Sequence, residues 1–279
     1  MLSYRHAFHA GNFADVLKHA VLTSALGLLA RKDKPLCYYE SHAGEGRYDL
    51  GGARARRTGE AAQGIGRLWE RADVPDALLP YLRAVRAANP AGRLAAYPGS
   101  PALAAALLRP ADRLVLMELN AADHAALRAT FRGDRRVAAH RRDGYEGLVA
   151  LTPPAERRGL ALLDPSYEVV GDWKGVVEAT AAAWARWPGG CYAIWYPILD
   201  DAMPLRLARA LVVAGLRPIL RVELVRDGAQ PLGLKGSGVL VANPPWTLDR
   251  ELASWLPWLT GVLGVEGRGA WRLDWVVGE

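Results

Sequence analysis

Cysteine is scarce: Cys37 and Cys191 are the only two in 279 residues, and each sits inside an apolar, strand-like run. That excludes a disulfide-framed secreted scaffold and a cysteine-rich metal site, and it predicts two reduced core thiols in a cytoplasmic protein. Low-complexity tracts and short-period repeats are lacking too, which excludes solenoids and disorder. No apolar stretch is long enough to predict a bilayer span. The opening MLSYRHAFHAGNFAD is polar and charged, unlike a signal peptide. His6 and His9 have a metal-like spacing, but no cysteine or acidic cluster accompanies them and HEXXH is missing, so no metal is expected. A GxSxG elbow is missing as well, which removes serine hydrolysis of that type. What remains is a chain that is 51% hydrophobic, enough for one large domain or two small ones. Its net charge of +6 and pI near 9.5 leave an anionic partner such as nucleic acid open without requiring one.

Strand-like and helix-like segments alternate along the chain. Short aliphatic, β-branched and aromatic runs occur at 35–41, 113–119, 136–140, 159–164, 190–196, 218–225 and 238–243. Most are uninterrupted, as in strands buried on both faces. Ala/Leu-rich helical stretches lie between them at 101–108, 121–131, 173–187, 204–214 and 248–263. The expectation is an α/β fold with a mostly parallel sheet of seven strands and helices on both faces. The terminal AWRLDWVV could add another strand. Residues 49–97 break the rhythm, with two helical patterns and no strand between them. They read as an arginine-rich helical insertion into a main domain formed by 1–48 and 98–279, since connections in such folds are ordinarily short.

Asn12 is a candidate N-cap for the first helix, with Asp15 three residues on. Phe13, Val16, Leu17, Ala20 and Ser24 share one face; Asp15, Lys18 and His19 lie opposite. The polar start of this helix is either a solvated end or the wall of a site.

Within ESHAGEGRY, residues 40–48, an acid closes the first strand and Gly44 and Gly46 follow. Glycines there let a backbone approach a ligand at the sheet's carboxyl edge. A dinucleotide loop would need a third glycine where Asp49 stands, and a P-loop would need Gly-Lys-Ser/Thr. An S-adenosylmethionine loop tolerates the pattern, and so does a plain strand-to-loop turn. Context favours the ligand. Glu118 ends the next strand, where it can accept two ribose hydroxyls. Asp143 and Gly144 follow another, where a carboxylate can receive an adenine amine and an N–H its N1. Asp164 ends a fourth. Ligands of open α/β sheets bind at that edge.

Two loops resemble the Asp/Asn-Pro-Pro-aromatic device of amine methyltransferases: DPSY at 164–167 and NPPW at 243–246. An aromatic amine is a weak nucleophile because its lone pair is delocalised into the ring. Accepting hydrogen bonds from both amine hydrogens makes the nitrogen more sp3-like. Asp164 Oδ and the Pro165 carbonyl would be the acceptors, and Tyr167 would stack on the base. Asp-Pro-Ser is also good chemistry for an ordinary turn. NPPW is the better match by letters. If the sheet has methyltransferase topology, however, its last strand runs antiparallel and carries NPPW to the opposite edge.

Taken in order, MLSYRHAFHAGNFADVLKH, HAGEGRY, YPGSP, DPSYE, WYP and NPPW resemble the RlmJ family of 23S ribosomal RNA adenine-N6 methyltransferases, over essentially the whole chain. The resemblance implies a Rossmann-like fold, S-adenosyl-L-methionine as cofactor, 23S ribosomal RNA as partner, and no membrane, metal or obligate protein partner. It implies cofactor contacts at His19, His42, Gly44, Ser100, Glu118, Asp143, Gly144 and Asp164. Ser100 would open a helix and either cap it or meet the methionine carboxylate. Asp164, Pro165 and Tyr167 would be catalytic. Tyr4, His6 and Lys18 would contact the target base or RNA, which gives the polar start of the first helix a role as a site wall. Arg54, Arg56, Arg57 and Arg67 of the insertion are candidates for phosphate contacts, or simply a solvated face.

The family pattern is Asp-Pro-Pro-Tyr, and this chain has Ser166 at the second proline. Both acceptors survive; some loop rigidity is lost, so activity is expected to persist with lower turnover. A DNA adenine methyltransferase would use the same chemistry and no motif separates the two. A non-catalytic RNA-binding protein on this fold is the other alternative, and it would not bind S-adenosylmethionine.

Overall fold

The computed structural model describes residues 5–169, 171–200, 202–227 and 233–278. Helix α1 spans Phe13–Ala30, followed by β1 (Cys37–Glu40) and β2 (Arg47–Asp49). Three helices come next, α2 (Ala53–Thr58), α3 (Gly66–Trp69) and α4 (Leu79–Ala87), then β3 (Ala96–Pro98) and α5 (Ser100–Leu107). The chain then alternates: β4 (Arg113–Met117), α6 (Ala121–Thr130), β5 (Val137–His140), α7 (Gly144–Leu151), β6 (Gly159–Leu163), α8 (Asp172–Arg186), β7 (Cys191–Ile198) and α9 (Ala202–Val213). It closes with β8 (Ile219–Val225), β9 (Gly236–Ala242), α10 (Leu248–Leu263) and β10 (Ala270–Val277).

Among the described residues, eight strands form the main sheet, in the order β10-β8-β9-β7-β6-β1-β4-β5. The seven expected strands are all present. The eighth is β10, from AWRLDWVV, which pairs antiparallel with β8. Strand β1 pairs in parallel with both β4 and β6, so the chain leaves the middle of the sheet in one direction and later returns to fill the other. That reversal opens a crevice at the carboxyl ends of β1 and β6. β9 is antiparallel to both neighbours, with Ala242 opposite Tyr192 at the start of β7. NPPW therefore leaves the sheet at the edge opposite to DPSY.

Burial explains the uninterrupted apolar runs: β1, β6 and β9 are buried at every position. Cys37 and Cys191 are buried free thiols in this core. Helix α1 corrects one expectation. Its 18 residues have a mean hydropathy of 1.4, apolar and long enough for a bilayer span, yet 83% of them are buried inside the protein. Their apolar surface is used against α5, α10 and β9. The segment after β1 also differs from expectation. β2 and β3 pair as an antiparallel two-stranded ribbon, Tyr48 opposite Tyr97, from which the intervening helices leave and return.

Candidate active site

A cavity of about 870 Å³ opens at the carboxyl edge of the sheet. Of the residues singled out in the sequence, His6, Lys18, His19, His42, Gly44, Ser100, Glu118, Asp143, Gly144, Asp164, Pro165 and Tyr167 all line it. Tyr4 lies outside the described residues. His9 also lines the cavity, bonded to Glu60 at 2.8 Å.

Helix α1 builds one wall. The Asn12 side chain accepts the Asp15 N–H at 2.9 Å, as an N-cap should. The Asp15 carboxylate accepts the Gly11 N–H at 2.9 Å and meets His6 Nε2 at 2.9 Å and Lys18 Nζ at 2.9 Å. Lys18 Nζ also lies 2.5 Å from Asp164 Oδ2 and 5.6 Å from the centre of the Trp195 ring. This face is buried: the side chains of Lys18 and Asp15 are 4% and 2% exposed. Burial alone would raise Asp15, but His6, Lys18 and His19 around it hold its carboxyl well below the usual range. Burial would likewise lower Lys18, and the paired carboxylates of Asp15 and Asp164 more than offset it, holding the ammonium above its ordinary value.

His19 stands one residue along. Burial pushes its imidazole down to about 3, so it is neutral. Nδ1 bonds Tyr97 Oη at 2.7 Å, and Tyr97 bonds Tyr81 at 2.9 Å, tying the site wall to the ribbon and α4. His19 Nε2 is buried and has no hydrogen-bond partner among the described residues. A buried polar nitrogen facing no protein partner is a place for a ligand atom.

The strand ends supply the other wall. Gly44 has φ of +60°, a left-handed conformation open to glycine, and its N–H donates to Glu118 Oε2 at 2.9 Å. Glu118 Oε1 accepts the Asn120 N–H at 2.7 Å. Burial raises the Glu118 carboxyl even so. Asp143 caps α7 by accepting the N–H groups of Tyr145 and Glu146, each at 2.9 Å, all through Oδ1. A Cβ on Gly144 would fall on the Ser41 carbonyl oxygen, so only glycine lets the β1 and β5 loops approach there. His42 bonds Ser41 Oγ at 2.7 Å and packs edge-on to Tyr145. Of the two roles expected for Ser100, the structure excludes the cap: the N-cap of α5 is Gly99, with no side-chain bond. The Ser100 hydroxyl donates instead to Glu40, which also receives the Tyr38 hydroxyl at 2.7 Å.

The DPSY loop leaves β6 into this crevice. Tyr167 has φ of +55° and is pinned by its hydroxyl, which donates to the Trp195 carbonyl at 2.7 Å, and by its ring, 4.3 Å from that of Trp173. Asp15, Trp195 and Arg226 line the cavity and were not singled out as site residues from the sequence. Asp15 had a signal, as a first-turn acid, and Trp195 opens the WYP motif of the family resemblance; Arg226 had none, since it reads as an ordinary strand-end residue. Arg67, a candidate for phosphate, is committed elsewhere. Its guanidinium donates to the Val262 and Gly264 carbonyls at 3.1 and 3.0 Å and so caps the end of α10.

A mostly parallel sheet with an antiparallel β9, a glycine loop after β1 and acids at successive strand ends define a Rossmann-like methyltransferase. Comparison with known proteins narrows the class. A family model described as "Ribosomal RNA large subunit methyltransferase D, RlmJ" matches residues 33–277. Proteins named ribosomal RNA large subunit methyltransferase J from Escherichia coli K12 and Haemophilus influenzae are 44% and 43% identical, each over 100% of both chains. A crystal structure of a Legionella pneumophila protein superposes with a TM-score of 0.90 at 35% identity, covering 96% of this chain and 98% of that one. The chain belongs to the RlmJ family of ribosomal RNA large subunit methyltransferases.

Proposed function

We propose that this protein transfers a methyl group from S-adenosyl-L-methionine to N6 of an adenine in 23S ribosomal RNA, as a cytoplasmic enzyme. The observation that carries the reading is the state of Asp164 at the end of β6. Lys18 takes Oδ2, while Oδ1 makes no hydrogen bond among the described residues. The carboxylate is thus anchored by one oxygen and keeps the other for an amine hydrogen.

The cavity suits the cofactor. Eight Asp or Glu side chains line it against two Lys or Arg, among the described residues. That balance favours a ligand carrying a sulfonium and an ammonium. Glu118 and Asp143 keep acceptor capacity for ribose hydroxyls and for an adenine amine, and Gly144 opens α7 with an N–H that has no intrahelical acceptor. His19 Nε2 and His42 would face the methionine side. When bound, the cofactor supplies an electrophilic methyl carbon.

Asp164 Oδ1 and the Pro165 carbonyl accept the two amine hydrogens and turn the nitrogen lone pair out of the ring. Lys18 holds Asp164 in place, so little reorganisation is needed as charge develops. These residues would hold the amine nitrogen towards that methyl carbon, and the proton the nitrogen gives up on methylation would pass to solvent. Tyr167 holds the loop and offers an aromatic edge to the base; His6, fixed by Asp15 and packed on Tyr48, adds a further wall. Tyr4 belongs to the same proposed substrate contact. The target adenine must leave its stack to reach this depth. We infer that 49–97 acts as a helical subdomain of the methyltransferase domain, with exposed Arg56 and Arg57 offered to RNA.

The test is nucleoside mass spectrometry of 23S ribosomal RNA and of duplex DNA of equal length, each incubated with the protein and S-adenosylmethionine. N6-methyladenosine in the RNA alone is expected. Methylation of the DNA alone, or no cofactor binding, overturns the reading.

A further inference from the structure

The acidity of the cavity creates a problem for an RNA substrate. A nucleotide brought to Asp164 carries its phosphodiester in with it, and a phosphate is repelled by most of this lining. Lys18 cannot receive it, because its ammonium is already bound to Asp15 and Asp164. Among the described residues, the other Lys or Arg lining the cavity is Arg226, the residue after β8.

Arg226 is poised but uncommitted. Its guanidinium carbon lies 5.6 Å from the centre of the Phe13 ring, so the plane is held against the start of α1. Nη2 reaches the neutral Gln63 amide oxygen at 3.3 Å. Nε is buried and has no hydrogen-bond partner among the described residues. No carboxylate pairs with it among the described residues: Glu60 is bound to His9 and Asn12, and Asp227 to Arg268. A buried guanidinium N–H is expensive to leave unsatisfied, which marks it as a site for an anion.

Its position fits one anion in particular. Val225 of β8 and Ile198 of β7 both register with Gly236 of β9, so the carboxyl ends of β7 and β8 lie level, on the edge that carries Asp164. Arg226 stands at the far end of the cavity from Asp143 and Gly144, beyond Asp164 as seen from the cofactor acids. Three strand spacings separate β6 from β8, roughly 14 Å, and Val225 is level with Ile198 where Leu163 is level with Ile194, so the backbones at Asp164 and Arg226 stand on the order of 20 Å apart. One nucleotide, from base amine to phosphate, can bridge that gap together with the Asp164 and Arg226 side chains.

We propose that Arg226 is the phosphate anchor of the RNA site, binding the phosphodiester of the extruded target nucleotide through Nε and an Nη. The geometry is the two-pronged one that arginine, and not lysine, provides. The inference rests on the proposed function and adds the group that positions the nucleotide's backbone while Asp164 holds its amine.

The test uses a protein-free 23S ribosomal RNA transcript with wild-type protein, Arg226→Gln and Arg226→Lys. Filter binding across a salt series, methyl-transfer kinetics and S-adenosylmethionine calorimetry are measured for each. Arg226→Gln is expected to raise KM for the transcript by about tenfold, the size of one charge-assisted hydrogen-bonded contact. It should leave cofactor affinity unchanged and flatten the slope of log affinity against log salt by about 0.7 to 0.9, one phosphate's worth. Arg226→Lys should restore the slope but not the full affinity; should Arg226→Gln fail to fold, that split alone carries the test. Unchanged KM and slope would overturn the proposal, as would weakened cofactor binding with RNA binding intact, which places Arg226 in the cofactor site. Wild-type protein that binds the transcript with an Arg226-dependent salt slope but transfers no methyl would sink the functional reading and leave the phosphate site standing.

Discussion

Lys18 joins two carboxylates from distant parts of the chain: Asp15 on its own helix, at 2.9 Å, and Asp164 on the loop after β6, at 2.5 Å. All three are largely removed from water, so their charges are held by one another and not by solvent. The contact fixes α1 against the loop proposed to do the chemistry. It also sets which Asp164 oxygen is left without a hydrogen bond among the described residues.

Removing the ammonium should therefore cost stability and activity together. Lys18→Met leaves two carboxylates facing each other in a buried site, and breaking such a pair typically costs about 3–5 kcal/mol. Denaturant unfolding near neutral pH should show a loss of that order, with methyl transfer falling at least about a hundredfold. The wild-type contribution has a defined pH window. Lys18 is held above its ordinary value, so its stabilisation is complete below about 10.5 and fades only in strongly alkaline solution.

Glu40 predicts a slope at milder pH. Burial pushes its carboxyl up to about 8 from an ordinary 4.5, against a smaller opposing effect of the Ser100 and Tyr38 hydroxyls. The folded protein thus binds this proton more tightly than the unfolded chain, and between those values stability falls as pH rises. His19 acts in the opposite sense, costing stability as pH falls from 6.5 towards about 3. Glu40→Gln should flatten the decline in thermal midpoint between about pH 6.5 and pH 8, above the range in which His19 offsets it, and leave the acid limb in place. A variant that keeps the full wild-type decline would show that Glu40 is ionised in the fold.

NPPW should be structural. Asn243 has φ of +50°, and its Nδ2 donates to the Gly190 carbonyl at 3.1 Å, stapling the end of β9 to the approach to β7. Asn243→Ala should lose about 1–3 kcal/mol in urea unfolding and keep wild-type kcat. A kcat loss matching that of an Asp164 variant would place the chemistry at the wrong edge of the sheet.

Ser166 bears on turnover. The rigidity expected to be missing has another source, because Tyr167 is fixed by the Trp195 carbonyl and the Trp173 ring. No hydrogen bond from the Ser166 amide exists among the described residues. Ser166→Pro should therefore raise stability by about 0.4–1 kcal/mol, by restricting the unfolded chain, with kcat unchanged. Tyr167→Phe removes one buried hydrogen bond of about 1 kcal/mol and should lower kcat about fivefold. A rise in kcat of that size in Ser166→Pro would show that the serine does soften the loop.

The sheet was legible because its strands are buried on both faces and read as unbroken apolar runs. β10 was less so: Trp271 and Trp275 are 47% and 45% exposed, so its pattern is that of a half-wet edge strand. β2 and β3 escaped because each has three residues and finds its partner across the whole of 49–97. α7 escaped because GYEGLVAL carries two glycines in eight residues. In the site, acids at strand ends could be recognised by position alone. The Ser100 hydroxyl turning to Glu40, the Arg67 cap on α10 and the uncommitted Arg226 depend on contacts between residues far apart in the chain, which no local pattern records.

The most direct test of the account is the rate of methyl transfer to a 23S ribosomal RNA transcript by Asp164→Ala at saturating S-adenosylmethionine. Lys18 keeps Asp15 as a partner in this variant, so the fold should hold. The account predicts a fall of at least about a hundredfold, the scale of losing a preorganised electrostatic contact to the reacting group. Transfer at the wild-type rate would contradict it.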